Sequence, residues 1–296
     1  MTYQPRGVYV PLITPFAADG SVALDAVERL VHHYAEAGAA GIVSLGTTGE
    51  PAMLTSEEKQ RVIEVASQAC VARNLELMIG AGTIGTAATI ESINAVAATP
   101  GLTAVLVVSP YYVRPSQAGI VAHYRAISEA TTTPVVVYNI PARTGRGMTS
   151  DTLLEVAAMR NVVGLKQAVG AFDDETLRVL ADAPPSFSVM SGDDAFILST
   201  VLHGGTGAIA ASAHVCTDRF VSMVECGLSG KIDEATAHAE ALLPVVEAGF
   251  MEPNPSVFKG VLAAQGLIPT PDVRLPLVNG SSASVDALLA AIDAAR

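Results

Sequence analysis

The chain has 296 residues, 50% of them hydrophobic, and carries 17 Lys and Arg against 29 Asp and Glu, a formal net charge of −12. That acidic balance argues against nucleic acid or an anionic membrane as a partner, yet it leaves room for a small anionic substrate in a locally basic pocket. A mean hydropathy of +0.42 provides for a large core, and the length suits one closed α/β barrel.

Cys70, Cys216 and Cys226 are far apart and form no metal-ligand spacing, and the histidines are scattered, so neither a metal nor a disulfide framework is expected. Met1 to Arg6 lack the basic-then-apolar pattern of a secretion signal, and no apolar run approaches the ~18 residues of a membrane span. A cytoplasmic protein with no membrane partner is the expectation. Only Lys59, Lys166, Lys231 and Lys259 are lysines.

Short apolar runs recur along the chain. Strands are predicted at 8–12, 41–45, 76–80, 104–108, 134–138, 162–166, 187–191 and 206–210. Several are apolar at successive positions, as in a parallel sheet buried on both faces. Helical patterns lie between them at 23–37, 56–72, 86–98, 117–130, 152–158, 173–181 and 215–227, with a short helix near Asp193. Asp25, Thr55 or Ser56, Ser116, and Thr149 or Ser150 are the candidate caps. Three more helices are predicted at 231–248, 256–265 and 284–295. The rhythm predicts a (β/α)8 TIM barrel over residues 1–228 and a C-terminal helical extension over 229–296, packed on the barrel.

In such barrels chemistry belongs at the C-terminal strand ends, and the polar segments of this chain fall there. The second strand runs into Gly46-Thr47-Thr48-Gly49-Glu50, the fourth into Ser109 to Pro115, the fifth into Tyr138 to Gly145 and the seventh into Ser191 to Asp194. Gly46 to Gly49 suits either an ordinary loop or a turn offering N–H groups and two hydroxyls to a carboxylate. It lacks the Lys and Ser/Thr of a Walker A loop, and Gly80-Ala81-Gly82 lacks the dinucleotide fingerprint.

Lys166 ends the apolar run Asn161 to Lys166. It suits a salt bridge at the barrel mouth, or an amine whose desolvation frees it to attack a ketone and form an imine, an electron sink for an adjacent carbanion. Tyr138 suits a barrel cap or a proton shuttle linked to Thr47 and Tyr112. Arg143 suits an ion pair with one of the many acids or a bidentate grip on a substrate carboxylate. The three together favour catalysis.

Taken in order, GTTGE at 46–50, PYYVRP at 110–115, YNIPARTG at 138–145, GLKQ at 164–167, SGDD at 191–194, GGTGAIAAS at 204–212 and EPNP at 252–255 span the chain. The sequence thereby resembles the class I pyruvate-dependent aldolase and N-acetylneuraminate lyase family. The resemblance implies a lyase in which Lys166 forms a Schiff base with pyruvate and Tyr138 is the acid/base of a relay with Thr47 and Tyr112. It implies that Tyr112 is supplied across a tight dimer within a homotetramer. Thr48 would bind the pyruvate carboxylate, Ile209 would give backbone contacts near the pyruvyl group, and Gly192 would leave space beside the pocket. Arg143 would meet the carboxylate of L-aspartate 4-semialdehyde, in a condensation on the route to diaminopimelate and lysine, with no cofactor beyond the covalent imine. Gln167 stands where the family frequently has an acid. Ser56, Lys59, Gly85 and Thr89 stand where lysine-inhibited members hold lysine, which implies weak or absent feedback. A 2-keto-3-deoxy sugar-acid aldolase or N-acetylneuraminate lyase is the enzymatic alternative, and a non-catalytic regulatory or assembly barrel the alternative of another class.

Overall fold

A computed structural model describes residues 3–296. Eight parallel strands close into a barrel in sequence order: β1 Gly7–Val10, β2 Gly41–Ser44, β3 Glu76–Gly80, β4 Leu102–Val108, β5 Val135–Asn139, β6 Val162–Gln167, β7 Ser188–Ser191 and β8 Gly207–Ile209. Between and after them lie α1 Leu24–Glu36, α2 Ser56–Arg73, α3 Thr86–Val96, α4 Gln117–Ala130, α5 Pro141–Thr144, α6 Ser150–Ala157, α7 Asp174–Asp182, α8 Ile197–Leu202 and α9 Thr217–Leu228. Three helices follow: α10 Ile232–Gly249, α11 Ser256–Ala264 and α12 Ser282–Ala294. All eight predicted strands are present, with no end displaced by more than two residues.

Alternation sorts the strand residues into two cores. Tyr9, Val43, Met78, Ala104, Leu106, Val136, Val163, Met190 and Ile209 fill the lumen. Their neighbours along the strands, among them Val8, Ile42, Leu77, Val105, Val137 and Leu165, face the helices. Val245, Leu262, Leu288 and Ile292 of the last three helices share one core with α1, α2 and α9, so the extension packs on the barrel wall beside β1.

The N-terminal end of the lumen is closed. Tyr3 and Tyr9 both donate hydrogen bonds to Glu76 there. The β1–β8 seam closes through two glycines, and a Cβ at Gly207 would lie 2.0 Å from the Gly7 carbonyl oxygen.

Local chemistry fixes most helix starts. Thr55 and Glu58 form a reciprocal capping box on α2, while Ser116 caps α4 and Thr149 caps α6. Asp25 is not a cap. α1 starts after Ala23 with no side-chain cap, and Asp25 lies in its first turn, where it pairs with Arg29 at 2.5 Å. The helix predicted from Thr152 begins two residues earlier, because Thr149 rather than Thr152 accepts the first free N–H.

Candidate active site

β5 and β6 run side by side with Tyr138 opposite Lys166 and Asn139 opposite Gln167. Lys166 owes its direction to an irregularity. Val135 pairs with Val162, but Val136 pairs with Gly164, so the register slips by one residue at Val163. Without the slip, alternation from the inward Val163 would send Lys166 outward, toward the helices. The bulge reverses the phase: Leu165 packs outward and Lys166 joins Tyr138 on the lumen side. Gly164 permits it, since a Cβ there would lie 2.8 Å from the Ser188 carbonyl oxygen.

Lys166 is 7% exposed, and its Nζ stands 4.4 Å from the centroid of the Tyr138 ring. A cation over a ring face is an attractive contact, and it holds the amine beside the phenol. Gly192, just after β7, leaves the room that the same side chain occupies: a Cβ there would lie 2.8 Å from both Cγ and Cε of Lys166. The space that the sequence assigned to Gly192 is thus occupied by the lysine itself. Ile209 ends β8 and is fully buried in the lumen core.

Asp193 and Asp194 follow Gly192 and are set by backbone donors. The Gly170 N–H donates to Asp193 at 2.6 Å and the Ser212 N–H to Asp194 at 2.6 Å. Burial raises both carboxyls, Asp194 to about 6, with the positive charge of Lys166 pulling each back down. Asp194 Oδ1 is buried with no partner.

After β2 the chain makes a tight turn over Thr47–Gly49, in which Gly49 and Glu50 donate back to the carbonyls of Gly46 and Thr47. The hydroxyls of Thr47 and Thr48 are left for other partners. Thr48 is buried and accepts a hydrogen bond from Asn254 Nδ2 at 2.9 Å, while Thr47 lines a cavity. That cavity, about 1270 Å³, also touches Tyr138, Tyr111 and Arg143 and continues between α2 and α3 past Lys59. Lys166 does not line it, and its link to the cavity runs through Tyr138.

Arg143 sits on α5, the single turn that Pro141 starts and Gly145 ends. Among the described residues no carboxylate pairs with Arg143, Arg114 or Arg146, despite the acidic composition. Arg114 Nε donates to the Gly145 carbonyl at 2.9 Å, which brings the two loops together. The mouth is therefore locally basic.

Two expected features look different in three dimensions. Tyr112 is 86% exposed with φ of 68°, and among the described residues no hydrogen bond joins it, Thr47 and Tyr138. A relay through these three groups is not closed within one chain. Gln167 faces away from the lumen, accepting from Asn139 Nδ2 at 2.9 Å and donating to Thr176 at 3.0 Å. Its amide bridges β5 to α7, so the exchange of an acid for an amide falls behind the barrel wall rather than in the pocket.

Sequence reasoning assigned no role to Glu50, Asn254 or Lys259. Glu50 has left-handed φ and ψ of 55° and 38°, and both its oxygens are used. Lys259 Nζ donates to Oε1 at 2.7 Å, and the Arg274 N–H donates to Oε2 at 2.9 Å. The Lys259 ammonium also donates to the Asp272 carbonyl at 2.7 Å and lies 4.0 Å over the Phe16 ring. Burial draws the ammonium down to about 8, with the neighbouring Glu50 pulling in the other direction. The one signal was a lysine inside the otherwise apolar helix VFKGVLAA.

The dihydrodipicolinate synthetase family model matches residues 4–295. The chain belongs to that family. It is 39% identical over 285 residues to 4-hydroxy-tetrahydrodipicolinate synthase of Moorella thermoacetica, covering 96% of each chain. Among solved structures, dihydrodipicolinate synthase from Thermotoga maritima superposes with a TM-score of 0.94 at 32% identity over 99% of both chains. The chloride-inhibited dihydrodipicolinate synthase from Acinetobacter baumannii, complexed with pyruvate, superposes with a TM-score of 0.93 at 31% identity over 98% of both. Family members of the dihydrodipicolinate synthetase type thus share both the barrel and its extension with this chain.

Proposed function

We propose that the chain is a 4-hydroxy-tetrahydrodipicolinate synthase, a Schiff-base lyase joining pyruvate to L-aspartate 4-semialdehyde. The observation that carries this reading is the Lys166 amine held 4.4 Å over the Tyr138 ring at the open end of a barrel plugged at the other end.

Lys166 attacks the pyruvate ketone and its oxygen leaves as water, giving a protonated imine. The imine withdraws electrons from the methyl carbon, whose proton passes to Tyr138, and the resulting enamine adds through that carbon to the aldehyde. Tyr138 returns a proton to the new alkoxide. The amine of the second substrate then attacks the imine carbon, closes the ring and expels Lys166 free, so each proton removed is given back. The imine on Lys166 supplies the electron sink that this sequence of steps requires.

Thr48 receives the pyruvate carboxylate, with Ile209 beside the pyruvyl group and Gly192 leaving space beside the pocket for the lysine side chain. Thr47 extends the proton path from Tyr138 toward Tyr112 of a neighbouring copy, in a homotetramer built of tight dimers. The exposure of Tyr112 beside Tyr111 and Val113 supports an inter-subunit role, because a large apolar surface at a site mouth invites burial. Arg143 binds the carboxylate of the aldehyde substrate, and its freedom from ion pairs supports that role. No helix among the described residues is long and apolar enough to cross a membrane.

The test is a coupled assay of acceptors with pyruvate. Turnover with L-aspartate 4-semialdehyde, far above cleavage of N-acetylneuraminate or 2-keto-3-deoxy sugar acids, is the expected result. Preference for a sugar acid would overturn the assignment.

A further inference from the structure

The EPNP segment has no part in the chemistry above, yet it reaches the turn that holds Thr48. Asn254 Nδ2 donates to Thr48 Oγ1 at 2.9 Å across 206 residues of sequence, and Asn254 Oδ1 is buried without a partner. The turn itself is fixed on other sides. Thr14 Oγ1 donates to the Gly49 carbonyl at 2.7 Å, and the Glu50 carboxylate is held by Lys259 and the Arg274 N–H. What those contacts leave undecided is where the hydroxyl hydrogen of Thr48 points.

A hydroxyl carries one hydrogen and rotates to suit its partners. An amide N–H donated to Oγ1 takes a lone pair and directs the hydrogen elsewhere, which leaves the Thr48 hydroxyl free to donate to another group. A carboxylate accepts and cannot donate, so a donor of fixed direction is what it needs.

We propose that Asn254 is a positioning residue that orients the Thr48 hydroxyl as a hydrogen-bond donor to the carboxylate of the 2-keto acid. The proposal rests on the reading that Thr48 receives the pyruvate carboxylate. It gives the C-terminal extension a part in substrate binding that acts through Thr48.

The test compares the full-length Asn254→Ala, Asn254→Asp, Thr48→Val and Asn254→Ala/Thr48→Val variants with the unmodified protein. Each is titrated with pyruvate, reading kcat, KM and the amount of borohydride-reduced adduct on Lys166. Asn254→Asp is nearly isosteric and keeps the fold, but it accepts from Thr48 and turns the hydrogen away from the substrate.

The expected result is an increase of about tenfold in the half-saturating pyruvate concentration for Asn254→Ala, a larger one for Asn254→Asp, and kcat changed by less than about twofold. In the Thr48→Val background, the loss of Asn254 adds nothing. A pyruvate KM unchanged in Asn254→Asp would mean that Thr48 donates to residue 254, and would overturn the proposal. So would additive effects in the double variant, or a fall in kcat alone. Failure of the underlying reading is distinguishable: Thr48→Val would then leave the pyruvate dependence unchanged, or the unmodified protein would give no adduct, and the proposal would fall with it.

Discussion

Gly192 and Lys166 are packed so closely that no side chain can be added to the one without moving the other. A Cβ at position 192 would lie 2.8 Å from both Cγ and Cε of the lysine. Gly192→Val therefore displaces Nζ from the Tyr138 ring. Misplacing a reacting group by about 1 Å costs roughly a hundredfold in rate. The expectation is a fall of about that size in the rate of imine formation, with Gly192→Ala milder and the circular dichroism of both unchanged. A rate within about threefold of the unmodified protein would show that the lysine position tolerates the extra atoms.

Lys259 and Glu50 are both fully buried and 2.7 Å apart. Removing one member leaves an uncompensated charge in the interior, a loss of about 3–5 kcal/mol. Lys259→Met should lower the urea midpoint accordingly. Lys259→Met/Glu50→Gln leaves no lone charge and keeps an acceptor for the Arg274 N–H, so it should regain at least half of the loss. Equal stability of the single and double variants would contradict the ionic account of this pair.

His123 and His214 give the protein a defined acid sensitivity. Burial pulls both imidazoles from the usual 6.5 to about 4, so the native state holds them neutral while the unfolded chain protonates them first. Their contribution is fully present above pH ~6.5 and is lost as pH falls toward 4, by up to about 1.4 kcal/mol per pH unit for each histidine. Asp194 acts in the opposite direction. Its carboxyl is raised to about 6, so its folding penalty is relieved as pH falls from 6 toward 3.8. Asp193 is raised in the same sense. The two histidines, which the unfolded chain protonates from pH 6.5 downward, outweigh the two carboxyls over this range, and the urea midpoint should fall between pH 7 and pH 5. His123→Gln should flatten that slope and Asp194→Asn should steepen it. A midpoint independent of pH across this range would contradict the assignment of neutral buried histidines.

Much of this architecture was legible because the strands are buried on both faces and the helices carry their own caps. Thr55, Ser116 and Thr149 all cap the helices predicted from them. Lys166 could be placed at a strand end from its neighbours, but its inward direction comes from the register slip at Val163, for which the only trace is Gly164. Glu50 and Lys259 are separated by 209 residues, and the ion pair depends on where α11 docks. The Asn254 contact is hidden for the same reason. Tyr112 was legible as a residue and not as a contact, since it stands 86% exposed and among the described residues no hydrogen bond joins it to Thr47 or Tyr138.

Feedback by lysine should be weak. Of the positions that the family resemblance implicates, Lys59 adds a positive charge to the cavity wall, where a lysine ligand would bring its own amine. Thr89 is buried, with its hydroxyl 2.9 Å from both the Thr83 hydroxyl and the Gly85 carbonyl. Initial rates over a lysine titration should change little up to several times the ~1 mM at the upper end of ordinary KM values. Strong inhibition below that level would show a lysine site built from other residues.

The most direct test of the account is to treat the protein with pyruvate and borohydride and locate the adduct by peptide mass spectrometry. The expected result is one reduced pyruvyl group per chain, confined to the peptide containing Lys166 and absent from Lys166→Ala. An adduct that survives in Lys166→Ala, or one that forms on Lys59, Lys231 or Lys259 instead, would contradict it.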